Sequence, residues 1–379
     1  MKQTSLRFEC IDIFRGLTIA LMLIVNNPGN LATVPPQLKH ASWNGVSMAD
    51  LVFPFFVFIM GVVVPISLNN RLEKGISRAN IIANIFRRSS LIVLLGLVLN
   101  GFPFFDLTII RIPGVLQRIG VVYLGSALIY LLLRSIFKKE VYQIGAQILM
   151  SVLLLILFYS LLKYIEVPGY GRGVMELQGN LVQYIDLKFL QGHLYEPNWD
   201  PEGILSTIPA LSSGIIGVTV GMILLRRTSH LIKMALFVGS GILLLISAEW
   251  FNSFFPYNKN LWSSSFVLLT SGFGLLVLAV FYLITDILKS GRLLTPFKVI
   301  GGSPIFVYFT TELIGRSLWQ IPVQDSISGN IMTFKIWITE RLISPWAHGL
   351  DSLYFSVSYV IVWMAIMGFL YHRKIHIRL

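Results

Sequence analysis

Apolar runs of about 18 to 25 residues recur from one end of this 379-residue chain to the other, and runs of that length are suited to the hydrocarbon of a bilayer. In lipid every backbone N–H and C=O must be satisfied within the segment, so each run is expected to be a helix. The pattern predicts ten spans, at 11–29, 50–69, 86–102, 113–134, 141–164, 203–225, 231–250, 261–288, 297–318 and 351–371. With 55% hydrophobic and only 13% charged residues, no stretch remains for a large soluble domain. The expected fold is therefore all-α: one polytopic transmembrane domain over 1–379, with extracytoplasmic loops near 30–49, 165–202 and 319–350.

The formal charge of +12 invites a nucleic-acid reading, but the basic residues lie in short inter-helix segments rather than in one stripe, and no nucleic-acid partner is expected. Most of the 30 lysines and arginines fall on alternate segments: Lys2, Arg7 and Arg15; Arg71 to Arg88; Arg134 to Lys139; Arg226, Arg227 and Lys233; Lys289 to Lys298; Arg373 to Arg378. Basic loops stay cytoplasmic during insertion, so both termini are placed inside. An odd number of spans would scatter these clusters over both faces, which supports an even count independently of hydropathy. The single Cys10 excludes an internal disulfide and a cysteine metal site, and no metal is expected. The first apolar stretch lacks a small-residue cleavage site and is read as a retained helix. There is no N-x-S/T sequon.

The loops on the other face are rich in Trp, Tyr, Asn and acidic residues, and the two longest are mixed and aromatic rather than of low complexity. Long ordered loops are typically binding loops or lids, which points to a polar substrate handled on the extracytoplasmic side. No internal repeat of the kind found in inverted-repeat transporters is visible.

Chemistry concentrates in residues 40–61, HASWNGVSMADLVFPFFVFIMG. Here His40, Ser42, Trp43, Asn44 and Asp50 run directly into an apolar helix with four phenylalanines. Polar side chains at the entry to lipid are costly and usually functional. Asp50 can orient and charge-stabilise the His40 imidazole, as a base and its orienting group do in acid–base catalysis. An interfacial histidine bound to backbone, with Asp50 as a helix N-cap, is the plainer alternative, and both roles can coexist. On the first helix Asp12 and Arg15 are spaced to pair. Arg15 and Asn26 lie roughly 16 Å apart along the axis, about three turns, and so share a face. Asn26 can donate to a developing oxyanion or hydrogen-bond to a neighbouring helix; Asn27 follows it.

RIPGVLQRIG at 111–120 opens the fourth span, with Pro113 in the first turn and Arg118 deep enough to need a partner or an anionic ligand. Arg111 can simply snorkel to the interface. DPEG at 200–203 reads as a helix start with Asp200 as N-cap, Pro201 and then Glu202. NKNLW at 258–262 reads as a loop with an aromatic belt residue, and Glu249 is a further acid in need of a partner. A Walker A loop, a G-x-S-x-G elbow, H-E-x-x-H and an EF-hand loop are all missing, which argues against ATP-driven transport, serine hydrolysis and zinc proteolysis.

Taken in order, D-x-F-R-G (Asp12 to Gly16), VN (Val25, Asn26), HASWNG (His40 to Gly45), ADLVFPFFVFIMG (Ala49 to Gly61), RIPGVLQRIG, DPEG and NKNLW resemble the heparan-α-glucosaminide N-acetyltransferase family over about residues 8 to 320. HASWNG followed by ADLVFP is the specific part. The resemblance implies a transmembrane acyltransferase that uses cytosolic acetyl-CoA, as a co-substrate, to acetylate an amino sugar across the membrane. It implies that His40 is the catalytic histidine, with Asn26 and Asp50 at matching site positions. Arg15, Asp12, Arg118, Arg111 and Trp43 are then expected on the acetyl-CoA side, and Glu202, Asn260, Asn44 and Trp262 on the acceptor side. Two departures stand out. The chain starts almost directly at the first core helix, where lysosomal members carry a further domain and span, so a bacterial cytoplasmic (inner) membrane is the expected location. At 303–308 it reads Ser-Pro-Ile-Phe-Val-Tyr where the family has an asparagine first.

The expected path brings acetyl-CoA in from the cytoplasm, its phosphates near Arg15 and Arg118, with the thioester reaching His40 and Asn26. His40 either deprotonates the sugar ammonium or carries the acetyl group itself. Two other functions fit the same residues: a transporter of amino sugars or muropeptide fragments, and an O-acyltransferase of envelope polysaccharide. The expected partners are acetyl-CoA, a glycan acceptor and membrane lipids; a homodimer is left open.

Overall fold

The structure is a computed structural model that describes residues 8–325, 327 and 329–375. Lys2, Arg7 and Arg378, used above in placing the termini, lie outside the described residues. The helices are α1 Glu9–Asn26, α2 Met48–Glu73, α3 Arg78–Gly101, α4 Val115–Ile136, α5 Glu140–Tyr164, α6 Leu181–Leu190, α7 Thr207–Leu225, α8 His230–Asn252, α9 Ser264–Tyr282, α10 Thr295–Gly301, α11 Pro304–Gln320, α12 Phe334–Ile338, α13 Ser344–Ala347 and α14 Asp351–His372. Two short hairpins complete the architecture: β1 Glu166–Val167 with β2 Gly171–Arg172, and β3 Pro322–Gln324 with β4 Ile331–Thr333.

This is an all-α polytopic membrane protein. Among the described residues, eight helices are long and apolar enough to cross a membrane, and nine if the bent pair Gly291–Gly301 and Pro304–Gln320 is one span. The expected ten differ from these at two places. The predicted span 297–318 is broken by a 68° bend at Ser303–Pro304, where proline has no N–H to continue the ladder. The first predicted span is the helix α1, but Glu9, Asp12 and Arg15 crowd its 18 residues and make it too charged to count by composition.

The chain divides into two compact units. Of the described residues, the larger contains 8–11, 41–46 and 53–289, and the smaller contains 12–40, 47–52 and those from 290 to 375. In the larger unit α3 packs on α4, α5 on α7 and α8 on α9, each pair adjacent or nearly adjacent in sequence. The centre is α7: 72% of its apolar stretch is buried, against 22% for α5 and for α8, whose free faces are left for lipid. Lipid tails are as apolar as leucine, so packing here relies on close approach and polar links rather than on a hydrophobic drive. α7 supplies both. A Cβ added to Gly61 of α2 would sit 2.1 Å from the Gly214 carbonyl oxygen, and one on Gly217 2.2 Å from that of Phe58. The two backbones therefore touch. On its other side, Ser212 and Ser151 of α5 bond hydroxyl to hydroxyl at 2.8 Å.

The long segment 165–202 folds over as hairpin β1–β2 and helix α6, which Asn180 caps by accepting from the Gln183 N–H at 2.8 Å. Leu181 and Val182 pack with Phe158, Leu162, Phe255 and Leu261 in one cluster. α7 begins at Thr207, four residues later than predicted, because 200–206 is spent on turns.

In the smaller unit, α1 and α10 also meet backbone to backbone. A Cβ on Gly16 would lie 1.8 Å from the Phe297 carbonyl oxygen, and one on Gly301 1.9 Å from that of Asp12. α10 packs on α14, and α11 on the short α12. Segment 319–350 consists of hairpin β3–β4, α12, a π-turn at Thr339–Ile343 and α13.

The seam between α2 and α7 generates a direct test. Gly217→Val should force the helices apart and destabilise the fold by about 1–3 kcal/mol. Gly239 of α8 has nothing within 4 Å of where a Cβ would sit, so Gly239→Ala should leave the melting temperature of the detergent-purified protein unchanged or raised. Equal melting temperatures for both variants would refute backbone contact at the seam.

Candidate functional site

Two groups of polar side chains, one in each unit, stand apart from ordinary helix links. In the smaller unit the first turn of α2 is closed by Asp50. Its Oδ2 accepts from the Ser47 backbone N–H at 2.9 Å and from the Ser47 hydroxyl at 3.0 Å, the reach-back of a capping box. Its Oδ1 lies 2.7 Å from Nδ1 of His40. The capping and orienting roles left open by the sequence thus coexist, one on each carboxylate oxygen. Asp50 is completely buried while the His40 side chain is 48% exposed, so the carboxylate is held rigid and the ring projects from it. A carboxylate can only accept, which favours the tautomer with the proton on Nδ1 and leaves the basic lone pair on Nε2.

At the end of α1, Asn26 donates through Nδ2 to Glu312 Oε1 of α11 at 2.9 Å. Further back on the same helix Arg15 and Asp12 form the predicted ion pair. Glu312 was missed in the sequence, although an acid within an apolar helix is itself a signal. Lys335 of α12 was missed as well. It is 1% exposed, its Nζ has no hydrogen-bond partner among the described residues, and the ammonium lies 5.1 Å from the Trp319 ring centre and 5.4 Å from that of Phe355.

In the larger unit Arg111 does more than snorkel. Its guanidinium grips Asp200 in a two-pronged bond, Nε to Oδ2 at 2.8 Å and Nη2 to Oδ1 at 2.7 Å. It also bonds Glu202 and lies 4.7 Å from the Tyr195 ring centre. Burial alone would lower the basicity of Arg111, but the bonds to Asp200 and the two negative charges outweigh it and hold the arginine firmly protonated. Asp200 is therefore no helix cap. It accepts from the backbone N–H groups of Tyr195 and Glu202, each at 2.8 Å, and organises a turn around the arginine, which is why α7 starts late. Pro113 likewise precedes the helix, and Gly114 takes the N-cap position of α4.

Arg118, 2% exposed, donates to the Gly203 carbonyl at 3.1 Å and to the Ser206 hydroxyl, and lies 5.1 Å from the Trp262 ring centre. Its Nε and Nη1 are buried without hydrogen-bond partners among the described residues. Beside the same turn, Asp186 of α6 accepts from the Ile204 N–H at 2.8 Å, while its other oxygen is buried with no hydrogen-bond partner among the described residues. Burial pushes Asp186 up to about 6, with the Ile204 bond pulling the other way. A Cβ on Gly203 would lie 1.8 Å from that carboxylate, so only glycine fits there. Asp186 too was missed in the sequence; it lies in a mixed segment where nothing in the local pattern separates it from surface acids.

The remaining predicted residues frame this group. Trp262 is fully buried rather than in an aromatic belt; its Nε1 donates to Ser213 at 3.2 Å and its ring meets Phe53 edge-on at 5.0 Å. Its φ of 54° closes the turn that Asn258 ties together through Leu261 and Ser263. Asn258 also donates to Asn44 Oδ1 at 3.2 Å, and Asn260 is half-buried in the same turn. Trp43 donates to the Met175 carbonyl at 2.9 Å and meets Trp199 edge-on, within the 165–202 segment. Glu249 finds its partner in the Tyr257 hydroxyl, at 2.9 Å.

A family model described as heparan-alpha-glucosaminide N-acetyltransferase, catalytic, matches residues 7–236. The heparan-alpha-glucosaminide N-acetyltransferase of Mus musculus is 31% identical over 396 residues, covering 89% of this chain and 59% of the relative. That of Homo sapiens is 32% identical over 389 residues, covering 88% and 58%. The chain thus spans a little under three-fifths of the length of the curated relatives it matches. The match carries the motifs that hold His40, Asp50, Arg111, Arg118, Asp200 and Glu202, and on it the chain belongs to the heparan-alpha-glucosaminide N-acetyltransferase catalytic family.

Proposed function

We propose that this chain is a transmembrane N-acetyltransferase that takes an acetyl group from cytosolic acetyl-CoA and transfers it to an amino sugar of the glucosamine type at the extracytoplasmic face. The observation that carries the reading is the 2.7 Å contact between His40 Nδ1 and the fully buried Asp50, in a family whose relatives are named for such a transfer. The sugar amine arrives as an ammonium. His40 Nε2 takes one proton from it, and the freed amine attacks the thioester carbonyl. The tetrahedral oxyanion, for which the Asn26 amide is a candidate donor, collapses with cleavage of the C–S bond. Of the two protons lost by nitrogen, one passes through the imidazolium to the departing CoA thiolate and the other goes to solvent. Asp50 stabilises the imidazolium while it exists.

In the larger unit, the two unpaired nitrogens of Arg118 support a contact with a phosphate or carbonyl oxygen of the donor. The acid–aromatic surroundings of Glu202, with Tyr195 beside Arg111, suit an amino sugar, which combines a cation with an apolar face.

His40→Ala in liposomes supplied with labelled acetyl-CoA and glucosamine should lower transfer by about 10²–10⁴-fold. Near-normal turnover would remove His40 from the chemistry, and accumulation of unmodified sugar in vesicles without an acyl donor would favour a transporter. Incubation with labelled acetyl-CoA alone should leave His40 unmodified; a covalent acetyl group on its ring would replace direct transfer with an acetyl-histidine route. Arg118→Gln should weaken CoA binding, measured calorimetrically, by about tenfold, the loss of about 1.4 kcal/mol. Unchanged affinity would take Arg118 out of the donor site.

A further inference from the structure

In the turn that leads into α7, one peptide group is engaged at both ends by opposite charges. The N–H of the Gly203–Ile204 peptide donates to Asp186 Oδ1 at 2.8 Å, and its C=O accepts from Arg118 Nη2 at 3.1 Å. Asp186 belongs to α6, within the segment 165–202, and Arg118 to α4. Hydrogen bonds in such a chain polarise one another, so the two bonds reinforce each other. The carboxylate also presses on the backbone it holds: a Cβ on Gly203 would lie 1.8 Å from Asp186 Oδ2. Burial and the Asp200 charge push Asp186 up to about 6, while the Ile204 bond and the Arg118 charge pull it down; at neutral pH it is a carboxylate. On the other side of the peptide, both hydrogen bonds of Arg118 come from Nη2, to the Gly203 carbonyl and to the Ser206 hydroxyl. Ser206 and Thr207 donate to that same carbonyl, at 3.3 and 3.0 Å. The turn 203–206, with the Trp262 ring 5.1 Å away, therefore orients the guanidinium, and Nε and Nη1 are left without hydrogen-bond partners among the described residues.

We propose that Asp186 is a positioning residue for Arg118: through the Gly203–Ile204 peptide, the segment 165–202 sets the direction in which the arginine presents its two unspent nitrogens to the acyl donor. The effect on donor binding rests on the reading of Arg118 as a donor contact; the link from carboxylate to guanidinium does not. Asp186 acts only through the peptide and touches neither the donor nor the acceptor. The other strong cation beside this turn cannot replace Arg118, because Arg111 is already held by Asp200 and Glu202. An amide at position 186 still accepts from the Ile204 N–H, but an uncharged acceptor makes a bond roughly half as strong as a carboxylate does. Asp186→Asn therefore loosens the turn without changing the shape of the side chain, and the guanidinium loses its fixed direction.

Two measurements test this. The first needs neither ligand nor activity: NMR of the arginine side chains in protein labelled with 15N-arginine, with Arg118 assigned by its loss in Arg118→Gln. The Arg118 Nε–H signal should shift or broaden in Asp186→Asn; an unmoved signal overturns the link. The second is a double-mutant cycle in CoA affinity, measured calorimetrically. Asp186→Asn should weaken CoA binding about fivefold in the wild-type background and by no more than about twofold in Arg118→Gln. Equal losses in the two backgrounds show that Asp186 does not act through Arg118 and overturn the proposal. A merely structural Asp186 would lower the melting temperature and leave the CoA affinity of the folded protein where it was, and that result overturns it too. If Arg118→Gln by itself binds CoA normally, the donor reading of Arg118 is what fails, and the Nε–H signal still decides whether Asp186 orients the guanidinium.

Discussion

In hydrocarbon a polar group has no water to fall back on, and that constraint arranges almost everything in this protein. It turns each apolar run into a helix, since only a helix satisfies its own backbone. It brings α2 and α7 into backbone contact through Gly61, Gly214 and Gly217, because lipid gives side chains little reason to bury against one another. It also decides which charges can exist: Arg111 survives burial by holding Asp200 and Glu202, and the buried Lys335 ammonium lies close to the Trp319 and Phe355 rings.

The same constraint makes the exceptions informative. Asp50 is wholly buried yet spends both oxygens, one on the start of its own helix and one on His40. A carboxylate engaged in this way cannot rotate, so the ring it holds is fixed in orientation, as the proposed acid–base role of His40 requires. Arg118 is the converse. It has donors left over in a place where unspent donors are expensive, and the smallest residue beside it, Gly203, is squeezed between its guanidinium and Asp186. Structural pairs are normally complete, and the incomplete one at Arg118 is what supports the proposed donor contact.

Much of the membrane architecture was legible from residue order, because hydropathy is a local property. Its misreadings were local too. Asp200-Pro201-Glu202-Gly203 has the composition of a helix start, but Asp200 is claimed by Arg111, 89 residues earlier, and the helix gives way by starting at Thr207. Trp262 has the look of an interfacial aromatic, but a positive φ and a bond to Ser213 turn it inward. Ser303–Pro304 interrupts what composition alone presents as one span.

By itself the sequence determined that the chain is a set of lipid-spanning helices, and it set His40 within reach of Asp50, since the two are only ten positions apart and Asp50 lies in the first turn of α2. Those are consequences of short-range rules, the length of an apolar run and the geometry of a helix start. Only the tertiary structure decided that Asn26 meets Glu312, that Lys335 is buried against Trp319 and Phe355, and that α7 is innermost in its unit while α5 and α8 face outward. Each of these depends on which helices pack together, and a buried charge takes whichever partner that packing brings within reach.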